Sequence, residues 1–135
     1  MEKAKQTFEE AIELFPKNRP LRSNYSELLI ALGKFGDARK SIEKTIELCS
    51  SQEERQDMEV MRITLIMIIE GYEKARKFVH SFINDFTLQN SHWNYSDIAP
   101  ALSCLSELDR KRIEGIQKLN LGRCSVDNVK ALWDL

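Results

Sequence analysis

The sequence predicts an all-α protein of about seven helices, and three observations lead to this. Apolar residues recur at spacings of three and four along almost the whole chain. No segment alternates apolar and β-branched residues with polar ones in the manner of a strand. The chain has 135 residues, of which 42% are hydrophobic and 30% charged. This is the composition of one folded domain rather than of a disordered or disulfide-stapled chain.

The helical segments can be placed in order along the chain. A proline or a glycine ends several of them, because proline cannot continue a helix and glycine favours the turn that follows one. The predicted spans are residues 2–15, 20–32, 37–49, 52–70, 72–86, 107–119 and 126–135.

The connection after the fifth helix, residues 87–95, is the longest polar interruption. Ser96 has the side chain of a helix N-cap, and Pro100 would fit the first turn of a helix that follows it. A short additional helix is therefore predicted there. Ser125 is predicted to cap the last helix in the same way.

A sequence repeat runs through the first two thirds of the chain. The pattern A-x3-F-x2-A-x4-P begins at Ala4, and similar residues return 34 positions later, at Ala38, and again 37 positions further on, at Ala75. A glycine and an aromatic residue precede the second and third copies. The members are Ala4, Phe8, Ala11 and Pro16; then Gly33 and Phe35 before Ala38, Ile42 and Thr45; then Gly71 and Tyr72 before Ala75, Val79 and Phe82.

This pattern resembles the second helix of a tetratricopeptide repeat. In such a hairpin a small residue lets the two helices approach closely, while larger apolar residues fill the groove against the next hairpin. The resemblance is good to about residue 50 and poor after about residue 90, where Arg112 occupies the place of a small residue.

The resemblance implies a right-handed α-solenoid in a single domain, residues 1–135. It also implies that the mate of the first helix precedes Met1, so the chain would be part of a longer repeat protein or would associate with itself. The implied units are the second helix of a partial repeat (1–16), two repeats (19–52 and 53–89) and a divergent repeat or cap (96–135).

The resemblance further implies that the chain binds another protein. A partner helix or peptide would lie on the concave wall, which is formed mainly by the first helix of each hairpin. An alternative is that the chain's own last helices cover Val60, Met67 and Ile68. The matching positions of this wall are Ser23, Glu27, Ile30 and Ala31 in one hairpin and Asp57, Val60, Thr64, Met67 and Ile68 in the next.

Charge and motifs exclude several other classes of protein. Lys and Arg total 20 against 21 Asp and Glu, so there is no basic face for a duplex and nucleic acid is an unlikely partner. The alternative function is nucleic-acid binding through residues 107–135, which have a helix-turn-helix outline. The most apolar run, residues 60–69, is about half a membrane span.

No catalytic, phosphate-binding or metal-binding motif is present in the sequence. We expect neither enzymatic activity nor a cofactor, and we interpret His80 and His92 as structural residues. Cys49, Cys104 and Cys124 form no C-x-x-C pair, so a reducing cytoplasm is the expected location.

Overall fold

The computed structural model describes residues 2–89 and 91–135. Met1, in the predicted partial repeat, and Asn90, in the predicted polar interruption, lie outside the described residues. All regular elements in this described part are helical, which confirms the all-α prediction. They are α1 (Glu2–Leu14), α2 (Arg19–Ala31), α3 (Phe35–Glu47), α4 (Gln52–Glu70), α5 (Tyr72–Asp85), a 3₁₀ helix (Ala99–Cys104), α6 (Glu107–Asn120) and α7 (Val126–Leu132).

Polar side chains cap four of the helices at their N-termini. Asn18 Oδ1 accepts from the Leu21 amide at 3.0 Å at the start of α2. Ser51 begins α4, Ser106 begins α6 and Ser125 begins α7 in the same way, each with a side chain that accepts from a backbone amide of the first turn. Each cap satisfies a donor that has no partner within its helix, and the prediction for Ser125 is confirmed.

The prediction that Ser96 caps a helix is wrong. The Ser96 amide donates to Asn94 Oδ1 at 2.9 Å, which closes a turn, and Ile98 occupies the cap position of the six-residue 3₁₀ helix. Pro100 does lie in the first turn, as predicted. Asn94 forms the competing local hydrogen bond, and this delays the start of the helix by two residues.

Two predicted glycine turns separate successive helices. Gly33 has φ of 76° and Gly71 has φ of 95°, a region of backbone space that side chains with a Cβ disfavour. The Gly71 amide also donates to the carbonyls of Ile66 and Met67, which closes the end of α4. Each glycine therefore ends one helix and lets the next fold back against it.

Consecutive helices pack against each other from α1 to α5, and α4 lies at the centre. The middle of α4 is buried on all sides because α3, α5 and α6 all pack against it. Of the predicted packing residues, Ala38, Ile42 and Thr45 on α3 and Ala75, Val79 and Phe82 on α5 are buried, and the turn residues Phe35 and Tyr72 are half-buried.

Helix α6 departs from a tandem stack in its direction. Asn120, the last residue of α6, donates to Asp57 near the start of α4, at 2.8 Å. Near the other end of α6, the Arg112 guanidinium lies 3.9 Å from the centre of the Tyr72 ring, just beyond the end of α4. The two helices therefore run antiparallel, whereas a third translational repeat would place its first helix parallel to α4.

The C-terminus is fixed in the junction between α5 and α6. The Trp133 ring stacks on Tyr72 with 5.7 Å between centres, and its Nε1 donates to the Arg112 carbonyl at 3.0 Å. A Cβ at Gly115 would lie 2.9 Å from Leu132 Cδ1. The close approach of α6 and α7 thus occurs at Gly115, three residues after the position that the repeat pattern would assign to a small residue.

Candidate protein-binding groove

The concave wall that the sequence predicts is largely covered within the chain. Ser23 donates to Met58 Sδ at 3.5 Å, so α4 lies over it, and α6 packs against α4. The expectation that all nine positions are available to a partner is therefore wrong for the buried ones. These are Ser23, Ile30, Val60, Thr64 and Met67, whereas Glu27, Asp57 and Ile68 are partly exposed and Ala31 is exposed.

Residues 91–105, which we call the crossing segment, connect α5 to α6 over this wall. The carboxylate Oδ1 of Asp57 accepts from Ser91 Oγ at 2.8 Å and from Asn120 Nδ2 at 2.8 Å. Asn120 Nδ2 also donates to the Tyr95 hydroxyl at 2.9 Å. Burial raises the pKa of Asp57, and the two donors oppose that rise by stabilising the carboxylate.

A second attachment lies just before the crossing segment. The buried Gln56 side chain donates from Nε2 to the Thr87 carbonyl at 3.0 Å and accepts from the Thr87 amide at 2.9 Å. These two hydrogen bonds satisfy the backbone amide and carbonyl of Thr87, which lies outside the helices. It fixes the point where the chain leaves α5 and turns onto α4.

A pair of carboxyl groups joins the crossing segment to α2. Glu27 is hydrogen-bonded to Asp97, and burial raises the pKa of Glu27 to about 7, with the nearby charge of Asp97 adding to the rise. The 3₁₀ helix that follows also packs against α2. Below about pH 7 Glu27 therefore keeps a proton that it can donate to Asp97, which links the segment to α2.

An open, mainly apolar surface lies between α1 and α2. It consists of two adjoining hollows of about 440 and 380 Å³, which share Phe8. We call it the α1–α2 groove. Its lining residues are Lys3, Ala4, Thr7, Phe8, Ala11 and Leu21 in the first hollow, and Phe8, Asn24, Glu27, Leu28, Ala31 and Asp97 in the second.

The same repeat positions differ sharply in burial between α1 and the later helices. Ala38 and Ile42 on α3 are fully buried, because α2 covers that face. On α1, Ala4 is exposed, Phe8 and Ala11 are half-buried, and Pro16 after its end is exposed. No described residue of α1 is buried. Beside the groove, Leu14 and Phe15 are 74% and 60% exposed.

Groups that could support catalysis or metal binding are scattered. His80 and His92 are exposed on different elements. Within residues 2–89 and 91–135, no three His, Cys, Asp or Glu side chains come together in a way that would hold a metal ion. Among the described helices, none combines the length and the hydropathy that a bilayer span requires.

Sequence reasoning predicted a short helix within the crossing segment but missed how the segment packs. Its buried residues Tyr95, Ile98 and Leu102 are spaced by three and four positions, which is the signal of a single covered face. The proline and the polar residues around them obscured that signal. Ser91 and Asn120, which donate to Asp57, show no sequence pattern that distinguishes them from surface residues.

Comparison with known proteins agrees with the packing. A family model described as tetratricopeptide repeat matches residues 1–47, which include α1, α2 and α3. No curated protein and no solved structure matches the chain. The family match and the helix packing agree over the first three helices: residues 1–47 of this all-α chain are similar to the tetratricopeptide repeat family.

Proposed function

We propose that the chain is a protein-interaction module that binds an amphipathic helix of a partner protein in the α1–α2 groove. The observation that carries this proposal is the open face of α1. The equivalent faces of α3 and α5 are covered by α2 and α4. Within this chain, an apolar face of this kind is therefore covered by another helix.

The shape of the groove supports a helix rather than an extended peptide. Ala4 and Ala11 leave little side chain between the backbone of α1 and an incoming helix, and Phe8 stands between them. Small residues that flank a large one give the ridge and groove into which a second helix packs. The centres of the Phe8 and Tyr25 rings lie 6.0 Å apart, so Tyr25 on α2 packs against Phe8.

The charges of the groove indicate the chemistry of the partner helix. Glu27 and Asp97 lie at the α2 side, and a cation beside them would lower the pKa of Glu27 and favour the ionised pair. The partner should therefore carry one Lys or Arg next to an otherwise apolar stripe. This role involves no catalysis, and the three free cysteines suit a reducing cytoplasm.

The experiment uses a peptide with the sequence of α2 as the partner helix. A synthetic peptide covering residues 18–34, cross-linked to hold the α2 helix, is titrated into the ¹⁵N-labelled protein. Because α2 covers the equivalent face of α3, we expect its peptide to shift the amide signals of Ala4, Phe8 and Ala11. Ala11→Glu should weaken this binding by about tenfold or more, since it introduces a charge into an apolar contact.

The matched control is Gln6→Glu, which adds the same charge to a different face of α1. It should leave the affinity within about twofold. Signal shifts confined to α3 or α5 would contradict the proposal. A concentration-dependent dimer that Ala11→Glu abolishes, measured by sedimentation, would assign the groove to a second copy of this chain instead.

A further inference from the structure

A second candidate site also involves the crossing segment but shares no lining residue with the α1–α2 groove. Residues 91–96 form one wall of an open cleft of about 700 Å³, and α6 forms the other. This volume is in the range of pockets that bind ligands. The cleft is separate from the α1–α2 groove, and nothing in the proposed function uses it.

The α6 wall of the cleft is built by helical spacing. Arg110, Glu114, Gln117 and Leu121 follow each other at three and four positions and face the cleft, while Ile113 and Ile116 face the core. Hydrogen bonds of Ser91 to Asp57 and of Tyr95 to Asn120 hold the opposite wall at a fixed distance. The cleft is therefore a preformed feature of the folded chain.

Positive charge predominates in the cleft. Arg110, Lys118 and Arg123 face it with a single carboxylate, that of Glu114. Arg110 is only loosely paired with Glu114, at 3.9 Å. Within the described residues, no carboxylate lies within 4.0 Å of the charged groups of Lys118 or Arg123.

An aromatic ring and an amide complete the site. Trp93 is half-buried in the wall opposite α6, so its ring can pack against an apolar side chain of a ligand. Gln117 Nε2 is buried and has no hydrogen-bond partner in the described part of the chain. A buried donor without an acceptor is unfavourable. Because the Gln117 side chain lines the cleft, a change of its rotamer would present this donor to a ligand carbonyl.

We propose that this cleft binds a short acidic peptide segment that places carboxylates on Lys118 and Arg123 and one apolar side chain on Trp93. A peptide supplies all three elements: anions, an apolar anchor and backbone acceptors for Gln117. A nucleic-acid strand fits less well, since Glu114 would face its phosphates. The whole chain also has a formal net charge of −1, which provides no extended basic path for a strand.

The test measures binding of a fluorescein-labelled, eight-residue peptide in which one phenylalanine is flanked by aspartates and glutamates. We expect saturable binding to the full chain, weakened about tenfold or more by the double substitution Lys118→Glu and Arg123→Glu. Trp93→Ala should weaken it by about threefold or more. Each variant is first checked for an unchanged unfolding midpoint.

The matched control is the double substitution Lys74→Glu and Lys77→Glu, on the exposed face of α5. It changes the net charge equally and should alter the affinity by less than about twofold. Equal weakening by the control would reduce the effect to net charge and overturn the proposal. So would absence of binding at about 1 mM peptide, or tighter binding of a single-stranded oligonucleotide of matched charge.

Discussion

The apolar faces at the two ends of the helical stack differ in how far they are covered. At the N-terminal side, α1 has no buried residue in its described span and leaves Leu14 and Phe15 exposed. At the C-terminal side, the crossing segment and α6 cover α4, where Val60 and Met67 are almost fully buried. The difference teaches that the repeat pattern specifies which face is apolar, whereas neighbouring segments decide whether it stays available.

Four substitutions can break or sharpen this comparison. The largest expected effect is at the C-terminal side. Trp133 is completely buried, stacks on Tyr72 and donates to the Arg112 carbonyl. Trp133→Ala should lower the free energy of unfolding by ~3–5 kcal/mol, because it leaves a cavity and removes the hydrogen bond to the Arg112 carbonyl. Urea denaturation followed by circular dichroism measures this change.

Leu14→Ala is the matched substitution on the open side. Leu14 is 74% exposed, so its truncation should change the free energy of unfolding by less than about 0.5 kcal/mol. Equal losses for the two substitutions would mean that the N-terminal face is covered in solution.

The next effect concerns the attachment of the crossing segment. Asn120→Ala removes a buried amide that donates to Asp57 and to the Tyr95 hydroxyl. We expect a loss of about 2 kcal/mol, since Asp57 keeps a partly buried charge with one donor fewer. Hydrogen exchange at the Ile98 amide, which donates to the Tyr95 carbonyl, should accelerate in parallel. The exposed Asn84→Ala serves as the control.

A smaller effect depends on pH. Glu27 has its pKa raised from 4.5 to about 7 in the folded chain, so the folded state binds a proton more tightly than the unfolded state. Stability from this group is therefore present at low pH and is lost as pH rises from about 4.5 to about 7. Glu27→Gln should remove that decline and stabilise the chain above pH 7 by about 1 kcal/mol, a value reduced for solvent screening because Glu27 is half-buried.

Unfolding by urea between pH 5 and pH 8 tests this prediction. The difference between Glu27→Gln and the original chain should grow with pH, whereas the exposed Glu73→Gln should give parallel curves. A difference that is constant with pH would show that the pKa of Glu27 is not raised in the folded chain.

The smallest effect is at the contact of α1 with the turn after α2. Lys34 Nζ lies 3.2 Å from Glu2 Oε1, and both side chains are exposed. Lys34→Ala should cost less than about 0.5 kcal/mol, and the loss should disappear at high salt. A thermal melt in low and high salt measures it, with Lys3→Ala, on the same helix as Glu2, as the comparison. A larger, salt-independent loss would indicate that α1 is held more firmly than its exposure implies.

Local sequence signals predicted most of the fold. Periodicity, glycine turns and caps such as Ser125 located the helix ends to within about three residues, because each signal acts within one or two turns of chain. The path of the crossing segment was not predictable in this way. It depends on the contacts of Asp57 with Ser91 and Asn120, which are far apart in sequence. Each of these three polar residues, taken alone, would be predicted to be exposed to solvent.

The candidate site was predicted only in part. Glu27 and Ala31 do line an open groove, but most of the predicted wall is buried, since the reversal of α6 has no local signature. That reversal follows from long-range packing around Asn120 and Tyr72. The small residue of the last hairpin, Gly115, was missed because the expected spacing pointed to Arg112.

The antiparallel course of α6 also bears on self-assembly. Identical copies that join head to tail need two complementary ends, and unbounded fibres form when both remain available. Here α6 lies against α4 in the reversed direction, so the C-terminal side of the described part does not present the face that a translational repeat would offer. The helix binding that we propose at α1 would therefore not propagate from one copy of this described part to the next.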